Sequence, residues 1–249
     1  MKKFLLVVTL LLAVQSVSSQ VLISLVFGDK LNSPKIEFGL EGGANFSTIS
    51  NLEGAKNRTD FNLGFYFDFM LKNPSWAINT GVIVKSTLGA NDLPVYSLNN
   101  VELDNAFEGG HVDRKINYFH VPIMIKYKFD NHIYVKAGTQ LGLLGKANDI
   151  FSKGYEGSDL EYKNNIRDKI HVIDAGLAIG AGYRLMGGNG MNIGVNYYYG
   201  LVTVMKGDNP NQYHRSFYVT AGIPIGKGKA AKKAAEKKAA ENGVETNGN

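Results

Sequence analysis

Between Lys35 and Gly226 the chain divides into eight alternating segments whose connections are short and long in strict turn. The second segment is the clearest. From Phe61 to Leu71 every odd position is Phe or Leu, while the even positions include Asn62, Gly64 and Asp68. A strand sends successive side chains to opposite faces, so this segment has one apolar face and one polar or small face. Strands are expected near 35–48, 60–71, 75–88, 114–129, 131–145, 168–185, 191–204 and 214–226. Each is long enough to cross a hydrocarbon core, which takes about 9–11 tilted residues. In a soluble sheet the polar face would meet bulk water and carry many Lys and Glu. Here it carries Gly, Asn and Tyr with few charges, which suits a narrow lumen. Short turns are expected at 72–74, 130–131 and 187–190, and long loops at 49–59, 89–113, 146–167 and 205–213. Outer-membrane barrels keep short turns on the periplasmic side and long loops outside, which puts both termini in the periplasm.

The N-terminus carries an export pattern. Lys2 and Lys3 precede an apolar run from Phe4 to Val14, and Val17-Ser18-Ser19 supplies small residues before a cut at Ser19/Gln20. The run is too short for a membrane-spanning helix, which needs about 20 residues. The chain has no Cys, so lipid attachment at an N-terminal Cys, disulfides and thiol chemistry are all excluded. About 230 residues remain after processing, a length that fits one all-β domain. The 29 glycines fall largely inside apparent strands, where glycine marks bends or a tight wall. An open sheet leaves backbone groups unpaired in lipid, so a spanning sheet must close. The expected fold is all-β: an eight-stranded antiparallel transmembrane β-barrel, an up-and-down meander, with a basic helical or disordered C-terminal tail. The expected divisions are a signal peptide at 1–19, an N-terminal periplasmic segment at 20–34, the barrel at 35–226 and the tail at 227–249.

Four stretches resemble the outer-membrane β-barrel family common in Bacteroidota, barrels of the PorT-like and OmpA-like kind. Gly39-Leu40-Glu41-Gly42-Gly43-Ala44-Asn45-Phe46-Ser47 looks like that family's first strand, and Tyr118 to Tyr127, with Pro122, like its central strand. Tyr198 to Leu201 and Phe217 to Pro224 look like its last two. The likeness covers roughly residues 35–226 and implies a barrel without naming an activity. Many such barrels finish at the last strand, whereas this chain runs on past it. A relative serving type IX protein secretion has a similar barrel, so an accessory role in secretion is one implication.

By alternation Glu37, Glu41, Asp68, Lys85, Lys126, Lys136, Asp174 and Arg184 project into the lumen. An isolated buried charge is very costly, so these residues are expected to form an ion-pair network that plugs the barrel. No metal-ligand spacing links the five His residues, and no hydrolase or phosphate-loop motif is present. No cofactor is expected. His111, Asp113, His214 and Ser216, near the outer strand ends, leave a rim hydrolase as one alternative, and a narrow channel or transporter as another. The 89–113 loop holds Asp92, Glu102, Asp104, Glu108 and Asp113 without the spacing of a calcium loop. Phe151, Tyr155 and Tyr162 in the 146–167 loop are candidate contact anchors. Residues 227–241 are built of Ala, Lys, Gly and Glu, mostly good helix formers. Lys229, Lys232, Lys233, Lys237 and Lys238 are candidate contacts to anionic lipid heads or a periplasmic protein. The apolar segment at 21–27 either caps the periplasmic mouth or docks elsewhere. The net charge of +5 owes much to the tail and the signal, so it does not indicate nucleic acid. The expected partners are outer-membrane lipid, including lipopolysaccharide, and other envelope or secretion proteins. The expected role is a non-enzymatic anchor and interaction scaffold.

Overall fold

The structure, a computed structural model, describes residue 33 and residues 35–155, 158–207 and 211–225. The expected signal peptide, the 21–27 segment and the basic tail lie outside the described residues. Nine strands form one antiparallel sheet: β1 (Ile36–Ile49), β2 (Arg58–Met70), β3 (Trp76–Pro94), β4 (His111–Lys128), β5 (Ile133–Tyr155), β6 (Ser158–Asn165), β7 (Ile173–Arg184), β8 (Asn192–Thr203) and β9 (Tyr213–Pro224). The order β4-β3-β2-β1-β9-β8-β7-β5, together with a direct β4–β5 ladder, closes eight of them into a ring. The first and last strands pair from Gly39↔Pro224 to Ile49↔His214. The ninth strand, β6, hangs from β5 outside the ring. Among the described residues no helix is long and apolar enough to cross a bilayer.

Strands extend into two of the expected long loops, at both ends of 89–113 and through most of 146–167. β3 continues to Pro94 and β4 begins at His111, so the 89–113 stretch reduces to a connection carrying one short helix, α1 (Val101–Phe107). The Asn100 side chain caps that helix by accepting from the Glu102 and Leu103 amides. The 146–167 stretch is the upper half of β5 folding back as β6, paired from Asn148↔Asn165 to Tyr155↔Ser158. At the opposite end the turns are short. His132 and Met186 adopt left-handed backbone with φ 68° and 54°, allowing the chain to reverse tightly.

The outer wall carries a belt of exposed apolar residues, including Phe119, Ile123 and Ile125 on β4 and Ile193, Val195 and Leu201 on β8. On β5 the belt runs from Ile133 to Leu143, and on β7 from Ile173 to Tyr183, ten residue steps in each case. At about 3.3 Å per residue and a tilt of about 40°, that is a band about 25 Å tall, the height expected of a lipid-facing zone. β4 marks where it stops. Its outward positions change from His111, Asp113, Lys115 and Asn117 to Phe119, Val121, Ile123 and Ile125. Its inward positions make the opposite change, from Val112 and Ile116 to His120 and Lys126, with Arg114 above and Met124 below as exceptions. The wall is therefore greasy outside and polar inside over the belt, and the reverse above it.

Bulges sit at this crossover. The β3–β4 register shifts between Ile83 and Ser86, and the β4–β5 register between Asn117 and Tyr118. Ser86 and Leu144 both pair with Tyr118, so the two irregularities flank β4 at one height. A bulge adds a residue to one strand and re-aims the side chains beyond it. Above the bulges an apolar core fills the mouth of the ring, with Ile49, Leu88, Val112, Ile116, Phe151, Ile166, Ile170 and Val204 all buried.

If the belt faces lipid, Ile125→Arg at mid-height should cost about 2–4 kcal/mol and Asn117→Arg at the boundary about 0–1 kcal/mol. Guanidinium-dependent folding into phosphatidylcholine vesicles measures both. Equal costs at the two positions would remove the belt from the hydrocarbon.

Candidate functional site

The lumen is built from the inward-facing positions of all eight ring strands, in layers. At the short-turn end the Arg184 guanidinium donates to Glu37 at 2.6 Å, and the Tyr66 hydroxyl donates to the same carboxylate at 3.1 Å. Asn192 donates to the Tyr66 hydroxyl at 3.2 Å. Beside this group Asp68, fully buried, accepts from Lys126 Nζ and Asn79 Nδ2, each at 2.7 Å, with Lys128 Nζ at 3.6 Å. Lys136 donates to Asn79 Oδ1 at 3.4 Å. Lys126 also lies over the Tyr134 ring, 4.3 Å from its centre. Tyr134 has room there because its hydroxyl lies against Gly182 and Gly194, where any Cβ would collide with it.

In the middle layer Glu41, Asn62, Met124, Lys136, Gln140, Asn196 and Tyr218 line a cavity of about 20 Å³. A water needs about 10–15 Å³ of such space, so the cavity has room for about one. Higher still, Asp174 accepts from the Tyr198 hydroxyl at 2.8 Å and lies 3.9 Å from His120 Nε2. His120 and His214 are fully buried there, and Tyr118 touches both, tilted against His120 and edge-on to His214, with ring centres 5.4 and 5.5 Å away. Above these, Asn45 donates to the Thr87 carbonyl at 2.8 Å, and the apolar mouth begins.

The expected lumen residues thus divide. Glu37 with Arg184, and Asp68 with Lys126, make two direct ion pairs. Lys136 reaches Asp68 only through Asn79, and Glu41 is half-buried on the cavity wall. Asp174 is held by a tyrosine and a histidine. Lys85 does not join them. The bulge after Ile83 turns it to the outer wall, where it is exposed and lies over the Phe61 ring at 5.9 Å. Strict alternation assigns it to the wrong face because a bulge breaks the period of two. Lys128, Tyr66, Asn79 and Tyr198 complete the polar core. Their inward parity is readable from the sequence, but which strand's partner each one meets depends on the register.

The rim residues do not assemble. His111 is exposed on the outer wall, Asp113 accepts from the Asp92 amide at 3.1 Å, and His214 and Ser216 are enclosed in the lumen. Acids of the 89–113 stretch are engaged with other partners. Asp92 pairs with Lys56, and Asp104 accepts from the Ser97 hydroxyl at 2.6 Å and the Leu98 amide at 2.7 Å. Those two donors hold the Asp104 carboxyl below the usual carboxylate range. Of the candidate contact anchors, Phe151 is consumed by packing. It contacts Tyr96 and Phe107 with ring centres 5.0 and 5.8 Å away, while Tyr162 stays exposed. The side chain of Tyr155 lies outside the described residues. The Arg114–Asp149 pair, bridged at 2.7 and 2.8 Å, anchors this packing from below. Burial and the Asp149 charge push the Tyr96 phenol up to about 12. Among the described residues no group of three or more His, Asp or Glu is placed to hold a metal.

A closed ring of eight strands with a belt of this height is the architecture, and sequence comparison gives its kinship. The profile of the outer membrane protein beta-barrel domain matches residues 27–205. The chain belongs to that family. It is an outer-membrane β-barrel protein. No curated protein sequence matches it. Solved structures similar to this barrel include Ail, the attachment invasion locus protein of Yersinia pestis, crystallised with the heparin analogue sucrose octasulfate. That match has 11% identity over 77% of this chain and 99% of that one, with a TM-score of 0.43. Neisserial surface protein A has 15% identity over 76% and 96% of the two chains, TM-score 0.36. OprG from Pseudomonas aeruginosa has 16% identity over 78% and 95%, TM-score 0.37. Likenesses this distant extend to no property beyond shape.

Removing one member of a buried pair leaves an uncompensated charge, which typically costs about 3–5 kcal/mol. Asp68→Ala should lose that much in guanidinium unfolding from lipid vesicles, because Lys126 and Lys128 are left facing each other. The double variant Asp68→Leu/Lys126→Met should recover most of the loss. A double variant no better than Asp68→Ala would show that the pair does not act as a unit.

Proposed function

We propose that this outer-membrane barrel is a sealed, non-enzymatic anchor whose working surface is the β3–β6 extension, with both chain ends in the periplasm. The observation that carries the reading is the filled interior. Charged and tyrosine layers occupy the belt zone around a middle cavity with room for about one water, and an apolar core fills the mouth above them. A pore needs a continuous wet path, whereas a filled barrel makes a rigid support for what it carries.

The orientation follows the family habit of short periplasmic turns and long outer extensions. It agrees with the export pattern at residues 1–19. It turns β6, α1 and the upper halves of β3, β4 and β5 toward the exterior as a braced platform. The basic tail, with Lys229, Lys232, Lys233, Lys237 and Lys238, would then offer a periplasmic contact for anionic lipid or an envelope protein. An accessory place in type IX-like secretion is one form of that role.

Two measurements test the reading. The full chain in planar bilayers should give no discrete conductance steps, and stable single-channel openings would favour the transporter alternative. Capture from solubilised envelopes should recover the same proteins on repeat. Loss of those proteins when residues 227–249 are deleted would assign the contact to the tail, and retention would assign it to the β3–β6 platform. Capture of nothing specific by either form would overturn the scaffold reading.

A further inference from the structure

The bulge that expels Lys85 from the lumen sets it at the upper edge of the apolar belt, below other outward-facing cations. On β4 Asn117 is the last polar outward residue before Phe119. Its cross-strand neighbours are Thr87 on β3 and Lys146 on β5. Lys115 lies one outward position above Asn117, and Lys85 one below Thr87. Lys115 is thus a diagonal neighbour of Thr87 and of Lys146, and Lys85 one of Asn117, at roughly 7–8 Å, with Lys115 and Lys85 on opposite sides of Asn117. Arg167, in the one-turn 3-10 helix Arg167–Lys169, donates through Nε to the Gly145 carbonyl at 3.0 Å, beside Lys146. Lys85, Lys146 and Arg167 are exposed and Lys115 half-buried.

None of the four has a carboxylate partner within ion-pair distance among the described residues. The nearest acids along the chain are Asp113 and Asp168. Asp113 accepts from the Asp92 amide and lies 3.9 Å from Arg58. Asp168 follows Arg167 and is exposed. Immediately below Asn117 and Lys146 lie Phe119, Leu143 and Ile173, from 49% to 61% exposed, while Phe61 flanks Lys85 from β2.

We propose that this wall of β3–β4–β5 binds the phosphorylated headgroup of an outer-leaflet glycolipid, with Asn117 at its centre and its acyl chains on the belt below. The proposal rests on the orientation given above, which turns this boundary toward the outer leaflet. Charge selects the phosphate, since four cations with an amide donor between them face one small area. Position selects a lipid over a soluble anion, because a headgroup held at this height lays its chains along Phe119, Leu143 and Ile173. A soluble anion would gain nothing from that apolar surface.

The test uses the full chain in phosphatidylcholine vesicles carrying either bisphosphorylated or dephosphorylated lipid A. Native mass spectrometry then counts lipid A retained after detergent extraction. The wild type should retain the bisphosphorylated form preferentially. Lys85→Gln/Lys115→Gln/Lys146→Gln should weaken retention by about fivefold per cation, on the order of a hundredfold in all. The matching Lys→Arg triple should restore it, and Lys153→Ala/Lys163→Ala on the extension should leave it unchanged. Unaltered retention in the Gln triple, or equal retention of dephosphorylated lipid A, would overturn the proposal. Full displacement by inorganic pyrophosphate would overturn the assignment to a lipid. The chain has no native Cys, so Asn105→Cys reports orientation separately. Labelling of intact cells by an impermeant maleimide supports the orientation, and its failure would sink that reading whatever the lipid result.

Discussion

The structure depends first on the ladder between β1 and β9. Hydrocarbon offers no partner for a free N–H or C=O, and each unsatisfied group costs several kcal/mol. Seven consecutive antiparallel ladders would still leave two bare edges. Pairing Gly39–Ile49 with His214–Pro224 removes both. Closure then forces one face of every strand inward, and eight strands leave an interior that side chains can fill. Charges sent there must find partners within the ring. The Asp68–Lys126 pair joins β2 to β4 within the meander, whereas the Glu37–Arg184 pair joins β1 to β7 across the β1–β9 seam and forms only once the ring is shut.

The wall changes solvent along its length, and its composition changes with it. In the belt the cheaper arrangement puts Phe, Leu, Ile and Val outside and polar groups within. Above the belt water surrounds the same strands, and the apolar side chains move inside, to Leu88, Val112, Ile116 and Phe151. β4 shows that this needs no change of backbone parity. Even positions face inward from Val112 to Lys128, and only the residue types change. Its neighbours do change parity there. On β5 Leu141 and Leu143 face out, and after the irregularity at Gly145 it is Lys146 that is exposed while Ala147 and Asp149 are buried.

Much of this was legible in the sequence. Alternation located all eight ring strands, and short and long connections located the two ends. Two things were not legible, each for a physical reason. The extended upper strands are apolar on the inward face and polar outward, like any soluble sheet, so nothing in them signals a membrane strand. The 89–113 and 146–167 segments therefore read as loops. Lys85 was assigned to the lumen because a period of two has no term for an inserted residue. In the lumen, inward direction was readable for Glu37, Asp68, Lys126 and Arg184, but their partners were not. Register decides pairing, and register is a property of the closed ring.

The irregularities at Ile83/Ser86 and Asn117/Tyr118 have an evolutionary corollary. A strand that gains or loses one residue normally turns every side chain beyond the change to the opposite face. Here the slack is already concentrated at the boundary between the two solvents, so an insertion above it can be absorbed locally. Successive lineages can rewrite the outer platform residue by residue while the charged layers beneath keep their facing.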